Sequence, residues 1–287
     1  MTASFGSRLE GVFAANGRLC VGIDPHAYLL DEWSLGDTAD GLREFGLRVV
    51  DAAHGRVGIV KPQVAFFERH GSAGYAALEQ VLAAARAAGL VVIADVKRGD
   101  VGSSVAAYGE AWLTPGSPLE SDAMTISAFQ GVGSIVAPHE LAIEAGKGLF
   151  VLAATSNPEA AAIQRSRSDN GQSVAASIVG EVQLWNQQQN APDDKARRFP
   201  LGSTGVVIGA TIDMASYGID TAALRSTPIL APGFGHQGAL VADAPALFGA
   251  ASAGLIVSAS RSILAAGPDG VASAIDAQVR ELEGVFS

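Results

Sequence analysis

Cysteine is nearly absent. Cys20 is the only one in 287 residues, so no intrachain disulfide can form and no cysteine-based metal site is available. Its setting, Leu19-Cys20-Val21, reads as a buried strand, where a free cysteine packs as a small apolar side chain. Charge is scarce too, at 17% of residues, and the net charge of -10 leaves no general basic face for a phosphate backbone. Nucleic acid is therefore not an expected partner, although one small anion needs only a few local cations. No apolar run approaches the roughly 20 residues of a membrane span, so no membrane association is expected. The N-terminal MTASFGSRLE lacks the basic-then-apolar order of a secretory signal, and the expected location is the cytoplasm. His26, His54, His70 and His139 show no metal-ligand spacing, and neither a nucleophile elbow nor a Walker loop occurs. No metal and no cofactor is expected.

What the chain does have is a rhythm. With 48% hydrophobic residues it can bury a large core. Short β-branched runs fall at 19-24, 58-63, 91-97, 123-127, 149-155, 204-211, 228-233 and 254-260, their starts mostly 24 to 39 residues apart. That spacing is one strand plus one helix. Helix-like segments lie between them. Residues 72-88 are Ala-rich, with Ser72 as N-cap and Gly89 as stop, and 268-285 carry a stripe of Val271, Ile275, Val279 and Leu282. Near-continuous apolar strands alternating with helices imply a parallel sheet covered on both faces. Eight units suggest a closed (β/α)8 TIM barrel, with a doubly wound open sheet as the rival. About 50 residues separate the fifth and sixth strands. The polar stretch 164-203 is expected to hold a helix near 172-188 and then an exposed loop. No second core is visible in it, so residues 1-287 read as one domain with an insertion.

Barrels of this kind carry their chemistry at the C-terminal ends of the strands. Asp24 ends the first strand, Lys61 and Gln63 lie in the second, and Asp95 and Lys97 lie in the third, with Asp100 just beyond. Side chains two apart on a strand share a face, so Val92, Ala94 and Val96 must meet the helices. Ile93, Asp95 and Lys97 then point inward, with the two charges at the barrel mouth. A desolvated charge persists only when it is paired with a neighbour or a ligand. The alternative is a purely structural ion pair closing the barrel.

The last two strands run into Pro232-Gly233-Phe234-Gly235-His236-Gln237-Gly238 and Ser258-Ala259-Ser260-Arg261-Ser262. Loops after strands seven and eight often build phosphate sites in barrels. Gly233 and Gly235 would let backbone N-H groups approach an anion, and Arg261 offers a bidentate fork. His236 is expected to be an ordinary loop histidine.

Asp95-Val-Lys97-Arg-Gly-Asp100 resembles the D-x-K-x-x-D signature of orotidine 5'-phosphate decarboxylases and their suprafamily. Asp24, Lys61, Thr155-Ser156-Asn157-Pro158, the 232-238 loop and Arg261 agree with that family in chain order, so the resemblance spans about residues 19-262. The 164-203 insertion is similar to that of the larger bacterial branch. The resemblance implies decarboxylation of orotidine 5'-monophosphate to UMP in pyrimidine biosynthesis by a homodimer. Lys61, Asp95, Lys97 and Asp100 would form an alternating charge array, completed by Asp100 of the partner subunit. Lys97 would deliver a proton to C6, and Asp95 would lie beside the departing carboxylate. Asp24, Lys61 and the partner's Asp100 would hold the ribose, Ser156 would contact the pyrimidine, and Gln237 with Arg261 would grip the phosphate.

Two positions depart from the pattern. Ser104 stands where threonine is expected and keeps the hydroxyl for the ribose. Ser260 stands where glycine is common, which would crowd the phosphate slightly. Two rival functions remain. Magnesium-dependent sugar-phosphate decarboxylases or aldolase-like synthases share the signature but place an acidic metal ligand after strand two, where this chain has Lys61. A non-catalytic nucleotide-binding barrel would show a broken charge array, and here all four charges are present.

Overall fold

A computed structural model describes residues 3-189, 200-235 and 238-286. Eight parallel strands form one closed barrel: β1 (Leu19–Ile23), β2 (Ile59–Pro62), β3 (Val91–Arg98), β4 (Ala123–Ile126), β5 (Gly148–Ala154), β6 (Thr204–Ile208), β7 (Ile229–Pro232) and β8 (Leu255–Ala259). Strand order follows chain order and β8 pairs back onto β1. All eight expected strands are present, and closure rules out the open sheet.

Alternation along the strands sorts the side chains into two cores. Val21, Val60, Val92, Ala94, Val96, Met124, Val151, Val206 and Val257 face outward and pack with the helices. Cys20, Ile59, Val91, Ile93, Ala123, Phe150, Val207, Leu230 and Ile256 fill the barrel. The inward set is apolar in its lower layers, so the polar residues two steps further along each strand are lifted to the C-terminal rim. Burial pushes the Cys20 thiol up to about 12, which makes it an inert packing group at neutral pH.

A helix ahead of β1 plugs the other end. Phe5 and Leu9 of the helix Phe5–Asn16 join the barrel core, and Phe5 meets Phe150 edge-on at 6.0 Å. Gly148 leaves room for it, since a Cβ there would lie 2.5 Å from the Phe5 ring.

The helix expected at 72-88 runs Gly71–Ala87, close behind a short helix Val64–Glu68. Ser72 is not its cap. The short turn through Arg69 and His70 starts the helix earlier, and the N-cap is His70, without a side-chain cap bond. Gly89 ends it at φ +74. The last helix spans Gly267–Phe286 and buries Val271, Ile275 and Leu282. Within the 164-203 stretch, a helix covers Val174–Gln189. Its Asn186 donates to the Thr204 carbonyl at 2.7 Å and accepts from the Thr204 N-H at 3.1 Å, tying it to β6. Most of the exposed loop expected next falls on 190-199, outside the described residues.

Candidate active site

The inward alternation places Asp24 beyond β1, Lys61 and Gln63 at β2, Asp95 and Lys97 on β3, Thr125 on β4, and Ser258 and Ser260 at β8 around one cavity of about 430 Å³. Ser156, Gly233 and Arg261 line it as well, over an apolar floor of Leu152, Val207 and Leu230. The size suits a small ligand held by a few convergent polar groups.

Four charges run across it in sequence. Lys61 Nζ lies 3.0 Å from Asp95 Oδ2 and 4.0 Å from Asp24 Oδ1, and Lys97 Nζ lies 2.6 Å from Asp95 Oδ1. Asp95 also accepts from Gln63 Nε2 at 3.0 Å and from the Thr125 hydroxyl at 2.9 Å. Burial works against charge on Lys61, but Asp95 and then Asp24 outweigh it, and its pKa stands above the ordinary lysine value. Burial likewise favours a neutral Asp95, yet Lys61 and Lys97 hold its pKa well below the carboxylate range. Both groups are ionised at neutral pH. Lys97 differs in being open to the cavity, with 46% of its side chain exposed against 8% for Lys61.

Lys97 is also conformationally unusual. Its φ is +48, and Ser34 is the only other described non-glycine residue at positive φ. Such backbone strain persists where surrounding structure enforces it, commonly at functional positions. The β3–β4 register shifts between Ala94 and Arg98, a bulge that bends a strand and re-aims its side chains. Outside the barrel, Arg98 is fixed by Glu68 at 2.7 Å and the Tyr75 hydroxyl at 3.2 Å.

The cavity has bonding capacity to spare. Asp24 Oδ1 is buried without a hydrogen-bond partner, while Asp24 Oδ2 accepts from the Ser260 hydroxyl at 2.6 Å. Arg261 has no carboxylate partner among the described residues and lies on the same wall as Gly233, whose φ is +116. An unpaired guanidinium beside open backbone suits an anion.

Residues 17–276 match the family model described as orotidine 5'-phosphate decarboxylase / HUMPS family. This chain belongs to that family. An orotidine 5'-phosphate decarboxylase from Salinispora tropica is 49% identical over 269 residues, 94% of this chain and 92% of that protein. One from Streptomyces coelicolor is 47% identical over 266 residues, covering 92% and 91%. A Streptomyces avermitilis crystal structure carrying the same enzyme name superposes with a TM-score of 0.91 at 45% identity, over 99% of this chain and 97% of that one. The Leishmania donovani OMP decarboxylase structure gives 0.74 at 26% identity over 98% of both.

Within this family member, Asp24, Lys61, Asp95, Lys97, Ser156, Gly233, Ser260 and Arg261 come together as the sequence suggested. Asp100 and Ser104 do not line the cavity of their own chain: Asp100 caps the Val101 N-H at 2.8 Å, and Ser104 is exposed on the helix Gly102–Leu113. Gly235, with φ +73, lies outside the cavity wall, and Gln237 lies outside the described residues. Ser260 does not simply crowd an anion, since its hydroxyl is directed to Asp24. Gly22 makes that possible, because a Cβ on it would meet the Ser260 Cβ at 2.7 Å. Thr125, Gln63 and Ser258 are among the site residues that received no role from the sequence. The parity that places Asp95 inward also places Thr125 inward, two residues after Ala123.

Proposed function

We propose that this chain decarboxylates orotidine 5'-monophosphate to UMP and carbon dioxide, without metal or cofactor, as a cytoplasmic homodimer serving pyrimidine biosynthesis. The observation that carries the reading is the Asp24–Lys61–Asp95–Lys97 chain of charges in a cavity also lined by Arg261, which has no carboxylate partner among the described residues. Breaking the bond from C6 to the carboxylate leaves an electron pair in an in-plane orbital with no neighbouring carbonyl to accept it. The Lys97 ammonium stabilises that pair and then transfers its proton to C6, leaving a neutral amine that solvent reprotonates. Asp95 holds the ammonium in place and sits beside the departing carboxylate. Asp24 and Lys61 take the ribose hydroxyls, which supply the donor that Asp24 Oδ1 lacks. Ser156 contacts the pyrimidine. Arg261 and Gly233 hold the phosphate, with Gln237 joining them as the family resemblance implies, and that remote binding energy orients the ring.

The partner's Asp100 extends the Lys61, Asp95 and Lys97 alternation by one further anion, with the partner's Ser104 beside it. Two observations support a second copy there. Neither residue reaches its own cavity, and Val101 and Phe129, in the segments that follow β3 and β4, are 53% and 78% exposed, an apolar surface suited to burial in an interface. Mixing Lys97→Ala protein with Asp100→Ala protein regains activity if the site is shared between chains; a mixture that stays dead removes the trans assignment.

Incubating purified protein with orotidine 5'-monophosphate, with and without EDTA, tests the reaction. UMP formation unaffected by chelator is the expected result. Activity abolished by EDTA favours the magnesium-dependent relatives, against which Lys61 argues by standing between the two carboxylates a cation would need. Tight UMP binding without turnover favours the non-catalytic barrel, against which the unbroken array argues.

A further inference from the structure

Thr125 touches both Asp95 and Lys97. Its hydroxyl accepts from the Lys97 backbone N-H at 3.0 Å and donates to Asp95 Oδ1 at 2.9 Å. The same Oδ1 receives the Lys97 ammonium at 2.6 Å. The path therefore closes on itself, from the backbone nitrogen of Lys97 through the hydroxyl and the carboxylate to the tip of the same lysine.

Three features distinguish this ring from ordinary packing. The Lys97 backbone is held at φ +48, where a residue with a Cβ rarely stays unaided. The β3–β4 ladder is interrupted between Ala94 and Arg98, so the hydroxyl takes the place of a strand carbonyl for the Lys97 N-H. Thr125 itself is only 1% exposed, so its hydroxyl is held in one place by packing, and removing it takes a partner from both the Lys97 N-H and Asp95 Oδ1. A single oxygen acts here as acceptor and donor at once, which valine, its near-isostere, cannot do.

We propose that Thr125 is a positioning residue for the decarboxylation: its hydroxyl locks the left-handed backbone of Lys97 and fixes the carboxylate that receives the lysine ammonium. This rests on the decarboxylase reading above. Without the hydroxyl, the backbone of Lys97 relaxes and the ammonium loses its aim at C6, while the walls that bind the nucleotide keep their shape.

Thr125→Val removes the hydroxyl and keeps the volume, Thr125→Ala removes it without the added methyl, and Thr125→Ser keeps it. Rates are normalised to sites counted by UMP binding, so a misfolded fraction does not register as lost catalysis. The expected result is a kcat lower on the order of 100-fold in the valine and alanine variants, with KM and the UMP dissociation constant within about 3-fold of wild type. The serine variant is expected to keep at least roughly a third of wild-type kcat, because it can remake both bonds. A valine variant with near wild-type kcat overturns the proposal. So does a serine variant as impaired as valine, or a loss shared equally by kcat and UMP affinity, which would make Thr125 a binding residue. Wild-type protein that forms no UMP defeats the decarboxylase reading itself, whatever the variants do.

Discussion

Both ends of the barrel bury charges, but they handle them differently. At the N-terminal end, Asp122 and Lys147 directly precede β4 and β5, and each finds its partners within the protein. Asp122 pairs with Arg8 and accepts from the Val92 N-H at 2.9 Å, and Lys147 pairs with Glu120 at 2.8 Å. Glu120 further accepts from the Gly116 N-H at 2.8 Å. At the C-terminal end, Asp95 is equally well supplied, but Asp24 Oδ1 has no donor and Arg261 has no anion among the described residues. A closed network has nothing left to offer a ligand, whereas one with unfilled valences around a cavity does. Burial of charge alone therefore does not mark a site. The unfilled bonds mark it.

The sharpest way to break this contrast is to remove the open end's reacting cation. Lys97→Ala is expected to lower kcat by ~10⁴-fold or more, since it removes both the proton donor and the charge facing C6. Its thermal midpoint is expected to stay near that of wild type, because the side chain is 46% exposed. A comparable loss of stability, seen by calorimetry, would make Lys97 part of a structural network like the one below.

Asp95 belongs to both categories, and pH separates them. Its folded pKa lies below the unfolded value, so its contribution is present above the ordinary carboxylate range and drains away as pH falls below about 4. Lys61 has the opposite sign. Its pKa is raised, so its contribution is present below about pH 10 and is lost only as pH climbs through the folded value. Between those limits the pair is insensitive to pH. Asp95→Asn leaves buried Lys61 without its main anion and is expected to cost about 3–5 kcal/mol at pH 7. In urea titrations the gap from wild type should narrow as pH is taken from 5 to 3; a constant gap would mean that shape, not charge, is what Asp95 supplies.

Arg261 tests the unfilled side directly. Arg261→Ala is expected to lower kcat/KM on the 5'-phosphate by about 10- to 100-fold, the worth of one to two charge-assisted bonds, and to leave turnover of the bare nucleoside nearly unchanged. Equal loss on both substrates would take the phosphate away from this residue.

The strands and the rim charges were legible because one rule governs both. Period-two alternation with apolar lower layers specifies which residue of each strand reaches the mouth, and Asp95 and Lys97 follow from Ile93 by counting. The same count reaches Thr125, but a threonine in a strand is ordinary, whereas an aspartate there is not. The left-handed backbone at Lys97 had no local signature, since no glycine occupies the position and the bulge arises from pairing with β4. Asp100 stood out as a charge just beyond β3, but its role, and Ser104 altogether, were readable only through a resemblance, because their proposed site lies on another chain. Ser72 failed as a helix cap because the turn at Arg69 and His70, directly after the short helix Val64–Glu68, puts the cap two residues sooner, at His70.

The closed end should yield the smallest effect and the cleanest separation. Arg8 ties the plugging helix Phe5–Asn16 to Asp122 and to the Gly146 carbonyl at 3.2 Å, yet a third of its side chain is exposed. Solvent screens part of that pair, so Arg8→Ala is expected to cost about 1–2 kcal/mol, lowering the thermal midpoint by roughly 2–8 °C. Phe5 and Leu9 still fill the barrel without it, and the rim lies several apolar layers away. Turnover per folded site should therefore match wild type. If kcat instead falls together with stability, the lower network transmits strain through Phe150 and its layer to the mouth, and the two ends cannot be treated as separate designs.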